Sequence, residues 1–144
     1  MQVHVILKSK ADNAVYTVKP GTSVADAAKI LAERRIGTVV ISGDGSTADG
    51  ILSERDIVKH LAAEGAACLE ADVDSYMTTK LETCTREEEA DSVLQRMTDG
   101  RFRHMPVVED GKLVGLITIG DVVKARLSEL SMEKSALEGM IMGF

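Results

Sequence analysis

Aromatic residues are nearly missing from this chain. They make up 3% of its 144 residues and there is no tryptophan, so any core must be built from Val, Ile, Leu, Ala and Met. Long apolar runs are missing too. Nothing approaches the ~18 consecutive apolar residues of a membrane span, and Met1-Gln2-Val3-His4 lacks the basic-then-apolar layout of a signal peptide. Two cysteines, Cys68 and Cys84, do not make a disulfide framework, and their spacing matches no zinc pattern. A reducing cytoplasm is the expected location, with no membrane partner. A basic surplus is also lacking: the formal charge of −6 argues against a nucleic-acid partner. His4, His60 and His104 are scattered, and no paired acid and base, metal cluster or nucleophile–base constellation stands out. No catalytic and no metal-binding residue is therefore assigned.

What is present is ordinary for a globular protein: 44% hydrophobic and 28% charged residues, at a length that suits one compact domain with a real core. The one acidic cluster, Glu87-Glu88-Glu89, precedes an apolar-periodic helix, where carboxylates suit the positive helix end.

The informative stretch is Gly50-Ile51-Leu52-Ser53-Glu54-Arg55-Asp56, because it recurs as Gly115-Leu116-Ile117-Thr118-Ile119-Gly120-Asp121. Thr118 follows Ser53, and Asp121 follows Asp56, by the same 65 residues. Two copies in one register mean a duplicated unit. The rest of the chain repeats with it. A strand over 14–19 is closed by Pro20-Gly21, and Thr22 or Ser23 caps a helix carrying Val24, Ala27, Ala28, Leu31 and Ala32. Strands are expected over 36–41 and 50–53, then a helix over 54–63. In the second half, Val73 to Met77 echoes an apolar patch at Val3, Val5, Ile6 and Leu7, which the polar stretch 8–13 follows. Strands are expected over 81–85, 103–108 and 113–118, helices over 88–98 and from Ile119 to about Met140. The earlier parts align at 66 residues, Thr17 with Thr83 and Val39 with Met105, so the first hairpin loop carries one extra residue.

Each half reads β-α-β-β-α and is marginal alone at roughly 60 residues, so two halves packing sheet on sheet is the expected solution. The fold class is α+β: two such repeats, residues 1–66 with a lead segment and 67–144 with an extended last helix, about a pseudo-twofold axis with two equivalent clefts.

A duplicated β-α-β-β-α unit ending in Gly-aliphatic-aliphatic-Ser/Thr-x-x-Asp resembles a tandem pair of cystathionine-β-synthase (CBS) domains, a Bateman module. Arg103-His104-Met105-Pro106-Val107-Val108, leading to Asp110-Gly111-Lys112-Leu113-Val114-Gly115, is similar to that family's second strand and hairpin, and Gly37 to Ile41 stands at the corresponding place in the first repeat. The resemblance covers about residues 3 to 127 and is to a stand-alone bacterial pair. It implies binding of adenosyl compounds (AMP first, with ADP, ATP, NAD(H) or S-adenosylmethionine as rivals), a homodimer of modules, and an effector protein that reads the ligand state.

The chemistry of the motif fits that implication. A hydroxyl where a strand meets a helix N-terminus can bond a phosphate oxygen, and an aspartate one turn on can accept a ribose diol. Ser53 and Thr118 are thus assigned to phosphate, Asp56 and Asp121 to ribose. The same spacing makes a capping box that needs no ligand, and capping and binding can alternate at one residue. Arg55 can place a guanidinium on a phosphate; its counterpart is Gly120, so the clefts are unequal. Arg103 and His104 bring positive charge where the first repeat has Gly37 and Thr38, unless they are a solvated strand residue and a structural histidine. By the resemblance, Thr17 and Thr83 face the ligand, Thr38 belongs to the same ligand-binding set, and Val39, Met105 and Pro106 form an apolar wall for the base, with core packing as the other role open to Val39. The apolar C-terminal helix, with Leu127, Leu130, Met132, Leu137 and Met140 to Met142, is expected to pack on a partner subunit. The leading expectation is a non-enzymatic, ligand-sensing regulatory module. A structural dimerisation module with empty clefts, or a nucleotide-processing enzyme, are the readings it competes with.

Overall fold

The computed structural model describes residues 1–10 and 14–143, so part of the expected polar stretch, Ala11 to Asn13, lies outside the described residues. The elements in order are α1 (Val3–Ser9), β1 (Thr17–Val18), α2 (Val24–Arg34), β2 (Thr38–Ile41), β3 (Gly50–Ser53), α3 (Glu54–Glu64), α4 (Ala90–Gly100), β4 (His104–Glu109), β5 (Lys112–Thr118) and α5 (Ile119–Ile141). Two short 3₁₀ turns, Ala66–Glu70 and Val73–Ser75, join the halves.

The first half matches the expected order. In its sheet β1 runs parallel to β2 and β2 antiparallel to β3, with Thr17 opposite Val40 and Thr38 opposite Ser53. Ser23 rather than Thr22 caps α2, its hydroxyl accepting the Asp26 N–H at 3.1 Å. The second half differs in one element. The strand expected over 81–85 shrinks to a single parallel bridge between Cys84 and Val107, the place where Val18 meets Ile41 in the first half. Of residues 82–85 only Cys84 is buried, and the Arg96 guanidinium holds the Thr83 carbonyl at 2.8 Å and Glu82 at 2.7 Å. The first half is little longer here, its β1 holding two residues. The extra residue of the first hairpin is accounted for. Eight residues join Ile41 to Gly50, whereas β4 and β5 extend to Glu109 and Lys112 and close on Asp110-Gly111, both at positive φ.

The two apolar patches form neither strand nor loop. Val3, Ile6 and Leu7 lie on one face of α1, and that face is buried with Cys84, Val93, Met97, Met105, Ile117 and Val122, the core of the second half. Val73, Leu69, Tyr76 and Met77 pack in turn with Val18, Val24, Leu31, Val39, Leu52 and Ile57, the core of the first. Each lead segment therefore completes the core of the other half. Backbone bonds fix the exchange: the N–H groups of Val3 and His4 donate to the carbonyls of Glu88 and Arg86, and Thr78 pairs with Ile51 at the edge of β3.

Candidate functional site

The exchange explains the glycine that opens each motif. A Cβ on Gly50 would run into the sulfur of Met77, and one on Gly115 would meet Leu7 Cδ1 at 2.9 Å. The glycines are there so that a lead segment can lie against the strand.

Past that glycine each strand ends in a hydroxyl residue that caps the following helix. Ser53 Oγ accepts the Asp56 N–H at 3.2 Å, and Asp56 Oδ2 accepts the Ser53 N–H at 2.9 Å. Thr118 and Asp121 repeat this at 3.1 and 2.9 Å. The motif is thus a capping box in both halves, and each aspartate keeps one carboxylate oxygen outside it.

Around the first motif lies a cleft of about 550 Å³. Its lining comes from both halves: the start of β2, the junction of β3 and α3, the connection after Met77, and the turn between α4 and β4. Of the residues singled out by sequence, Thr38, Ser53, Arg55, Asp56, Arg103 and His104 line it. Thr118 and Asp121 lie outside it at the second motif. Thr17 is half-buried in β1 and Thr83 is exposed, and neither reaches the lining.

The expected apolar wall is corrected. Val39 and Met105 are fully buried in the two cores, and Pro106 is buried outside the lining. Side chains alternate along a strand, so Thr38 and His104 face the cleft while Val39 and Met105 face the helices. Ile51, Leu81 and Phe102 supply the apolar lining instead.

Three observations describe the chemistry of this cleft. The Thr38 hydroxyl is buried and has no hydrogen-bond partner among the described residues, an uncommon state for a buried polar atom. Second, Arg55, Lys80, Arg101 and Arg103 face three carboxylates, Glu54, Asp56 and Glu82, and Glu82 is already held by Arg96 at 2.7 Å. None of the four cations forms an ion pair among the described residues. Third, burial pushes the His104 imidazole below its ordinary value, against the pull of Glu54 and Asp121, so it is neutral at pH 7.

Lys80 and Arg101 escaped the sequence reading. Arg101 ends α4 at φ 56°, and Arg35 ends α2 at φ 54°, a left-handed position that glycine normally takes. Lys80 was within reach: the lead segments align at 70 residues, Val3 with Val73, Leu7 with Met77 and Lys10 with Lys80. Among the described residues no cluster of three or more potential metal ligands exists, and no helix is long and apolar enough to cross a membrane.

Comparison with known proteins agrees with this architecture. The CBS domain model matches residues 11–63 and again 72–128. An uncharacterized 17.7 kDa protein of Acidianus ambivalens is 35% identical over 124 residues, 85% of this chain and 74% of the relative. Among solved structures, a CBS-domain containing protein from Agrobacterium tumefaciens is 43% identical with a TM-score of 0.83, over 88% of this chain and 99% of that one. The CBS domain pair of protein MJ0100, in complex with 5′-methylthioadenosine and S-adenosyl-L-methionine, is 26% identical with a TM-score of 0.78, over 90% and 98%. Two matches, one to each of two halves that complete each other's cores, mean that the chain belongs to the CBS domain family as a tandem pair.

Proposed function

We propose that this CBS pair is a non-enzymatic regulatory module that binds an adenosine phosphate in the first cleft. The observation that carries the reading is the unpartnered Thr38 hydroxyl in a cleft that also holds Ser53, Asp56 and the surplus cations. The free oxygen of Asp56 suits a ribose diol, and the capped helix start with Arg55 and Arg103 suits phosphate. The cleft volume falls within the about 300–1,000 Å³ usual for small-molecule sites. The related MJ0100 pair, which holds two adenosyl compounds, supports an adenosyl ligand. Four cations favour a phosphate-bearing one over S-adenosylmethionine, itself a cation, so AMP stands first, with ADP, ATP and NAD(H) sharing the same group. Because both halves line the cleft, a bound nucleotide bridges them and biases their packing, which an effector protein reads. A second copy of the chain covers the exposed face of α5, where Leu127, Leu130, Met132, Leu137 and Met140 meet solvent.

The test is a thermal-shift panel on dialysed protein with AMP, ADP, ATP, NAD, NADH, S-adenosylmethionine and GMP. The expected result is a rise with an adenosine phosphate and none with GMP, corresponding to ~2.7 kcal/mol at a hundredfold excess over Kd. Thr38→Val and Asp56→Asn are each expected to reduce the rise, the second while leaving an acceptor for the helix cap. A flat panel on ligand-free protein overturns the reading. Light scattering on the same sample tests the dimer: a mass of 15.5 kDa, one chain, removes it.

A further inference from the structure

The two motifs share one capping geometry, yet the space beside their aspartates is filled differently. Each lead segment ends on a lysine placed next to the motif of the half it packs against. At the second motif Lys10 Nζ lies 2.9 Å from Asp121 Oδ2 and 3.0 Å from the Leu116 carbonyl oxygen. The pair is largely shielded, the two side chains being 21% and 20% exposed. At the first motif Lys80 is exposed on the cleft wall, and Asp56 forms no ion pair among the described residues.

We propose that Lys10 is an internal counter-ion that closes the second motif to ligand, so that each chain takes its nucleotide in the first cleft alone. This rests on the nucleotide-binding reading above. Asp121 Oδ2 is already shared between the Thr118 N–H and an ammonium. Asp121 Oδ1 lies outside both bonds, but a ribose diol approaching it meets a carboxylate whose charge is already compensated by a cation held on two acceptors, and charge-assisted bonds of that kind are the strong ones. Asp56 offers its carboxylate without that competition. The duplication therefore yields one open site and one latched site, decided by where a lysine from the partner half's lead segment comes to rest.

Calorimetric titration with AMP separates the outcomes. The wild-type chain is expected to bind one equivalent, and Lys10→Met, which keeps the aliphatic stem and removes the charge, two. Two equivalents in the wild type, or a count still at one in Lys10→Met, overturns the latch. A second arm needs no nucleotide. In brief acylation with an amine-reactive ester read by mass spectrometry, Lys10 is expected to react about tenfold more slowly than Lys80, the scale of one charge-assisted bond. Asp121→Asn removes that protection. Equal reactivity in the wild type overturns the ion pair whatever AMP does. Absence of AMP binding in both proteins, with Lys10 still protected, sinks the nucleotide reading and leaves the ion pair standing.

Discussion

His104 sits where charge matters most. Its imidazole lies beside Gly37, with Nε2 3.5 Å from where a Cβ on that glycine would stand, and it lines the cleft between Thr38 and Arg103. Burial depresses its pKa, Glu54 and Asp121 raise it, and Arg103 and Lys10 lower it further. In the unfolded chain a histidine titrates near ~6.5, so between the folded and unfolded values the unfolded state binds more protons. The stability contributed by neutral His104 is complete above that value and is lost as the pH falls below it. The melting temperature is therefore expected to drop from pH 7 to pH 5, and His104→Gln to flatten part of that drop. An unchanged slope in the variant would show that this imidazole is as free to charge in the fold as out of it. Residue roles were partly legible in the sequence. Ser53, Arg55 and Asp56 of the motif converge with Thr38 of β2 in one cleft, but Val39 and Met105 required a sheet with known faces before their place in the core could be seen.

At the scale of elements, the motif glycines are the clearest case. Neither Gly50 nor Gly115 has a positive φ, so each is needed for close approach and not for a turn. Gly50→Ala and Gly115→Ala are expected to destabilise by about 1–3 kcal/mol, the usual cost of overpacking, measured by urea denaturation. Wild-type stability in both would mean that Met77 and Leu7 do not press on these strands. Helices α2, α3 and α5 are readable from their capping residues, α4 from its apolar periodicity, and the hairpins from their turn residues. Helix α1 is not, since its seven residues give too few turns to tell helix from strand. The first strand of the second half, reduced to the Cys84–Val107 bridge, is not readable either, since its neighbours Glu82 and Thr83 are held by Arg96, fourteen and thirteen positions on.

At the scale of the molecule, neither half owns its core. Val3, Ile6 and Leu7 stabilise the second half, and Val73 with Met77 the first, so opening one half exposes apolar surface of the other. Unfolding is expected to be a single cooperative transition. The two buried cysteines report on it independently: Cys68 sits in the turn that touches α2 and α3, and Cys84 in the second core, where burial pushes its thiol up to about 12. Pulsed thiol labelling across a urea series should give one midpoint for both. Two separate midpoints would show that the halves unfold independently.

The amino-acid sequence alone determined the duplication, the order of elements in the first half from β1 to α3, and the pairing of a hydroxyl with an aspartate at each strand–helix junction. These are local in origin, set by periodicity, capping and turn chemistry within about ten residues. Only the tertiary structure decided which half each lead segment completes, why the motif opens with glycine, and which aspartate meets a counter-ion. Those depend on contacts between residues 27 to 111 positions apart, such as Gly50 with Met77 and Lys10 with Asp121. No local pattern carries that information. It appears once the two halves are packed together.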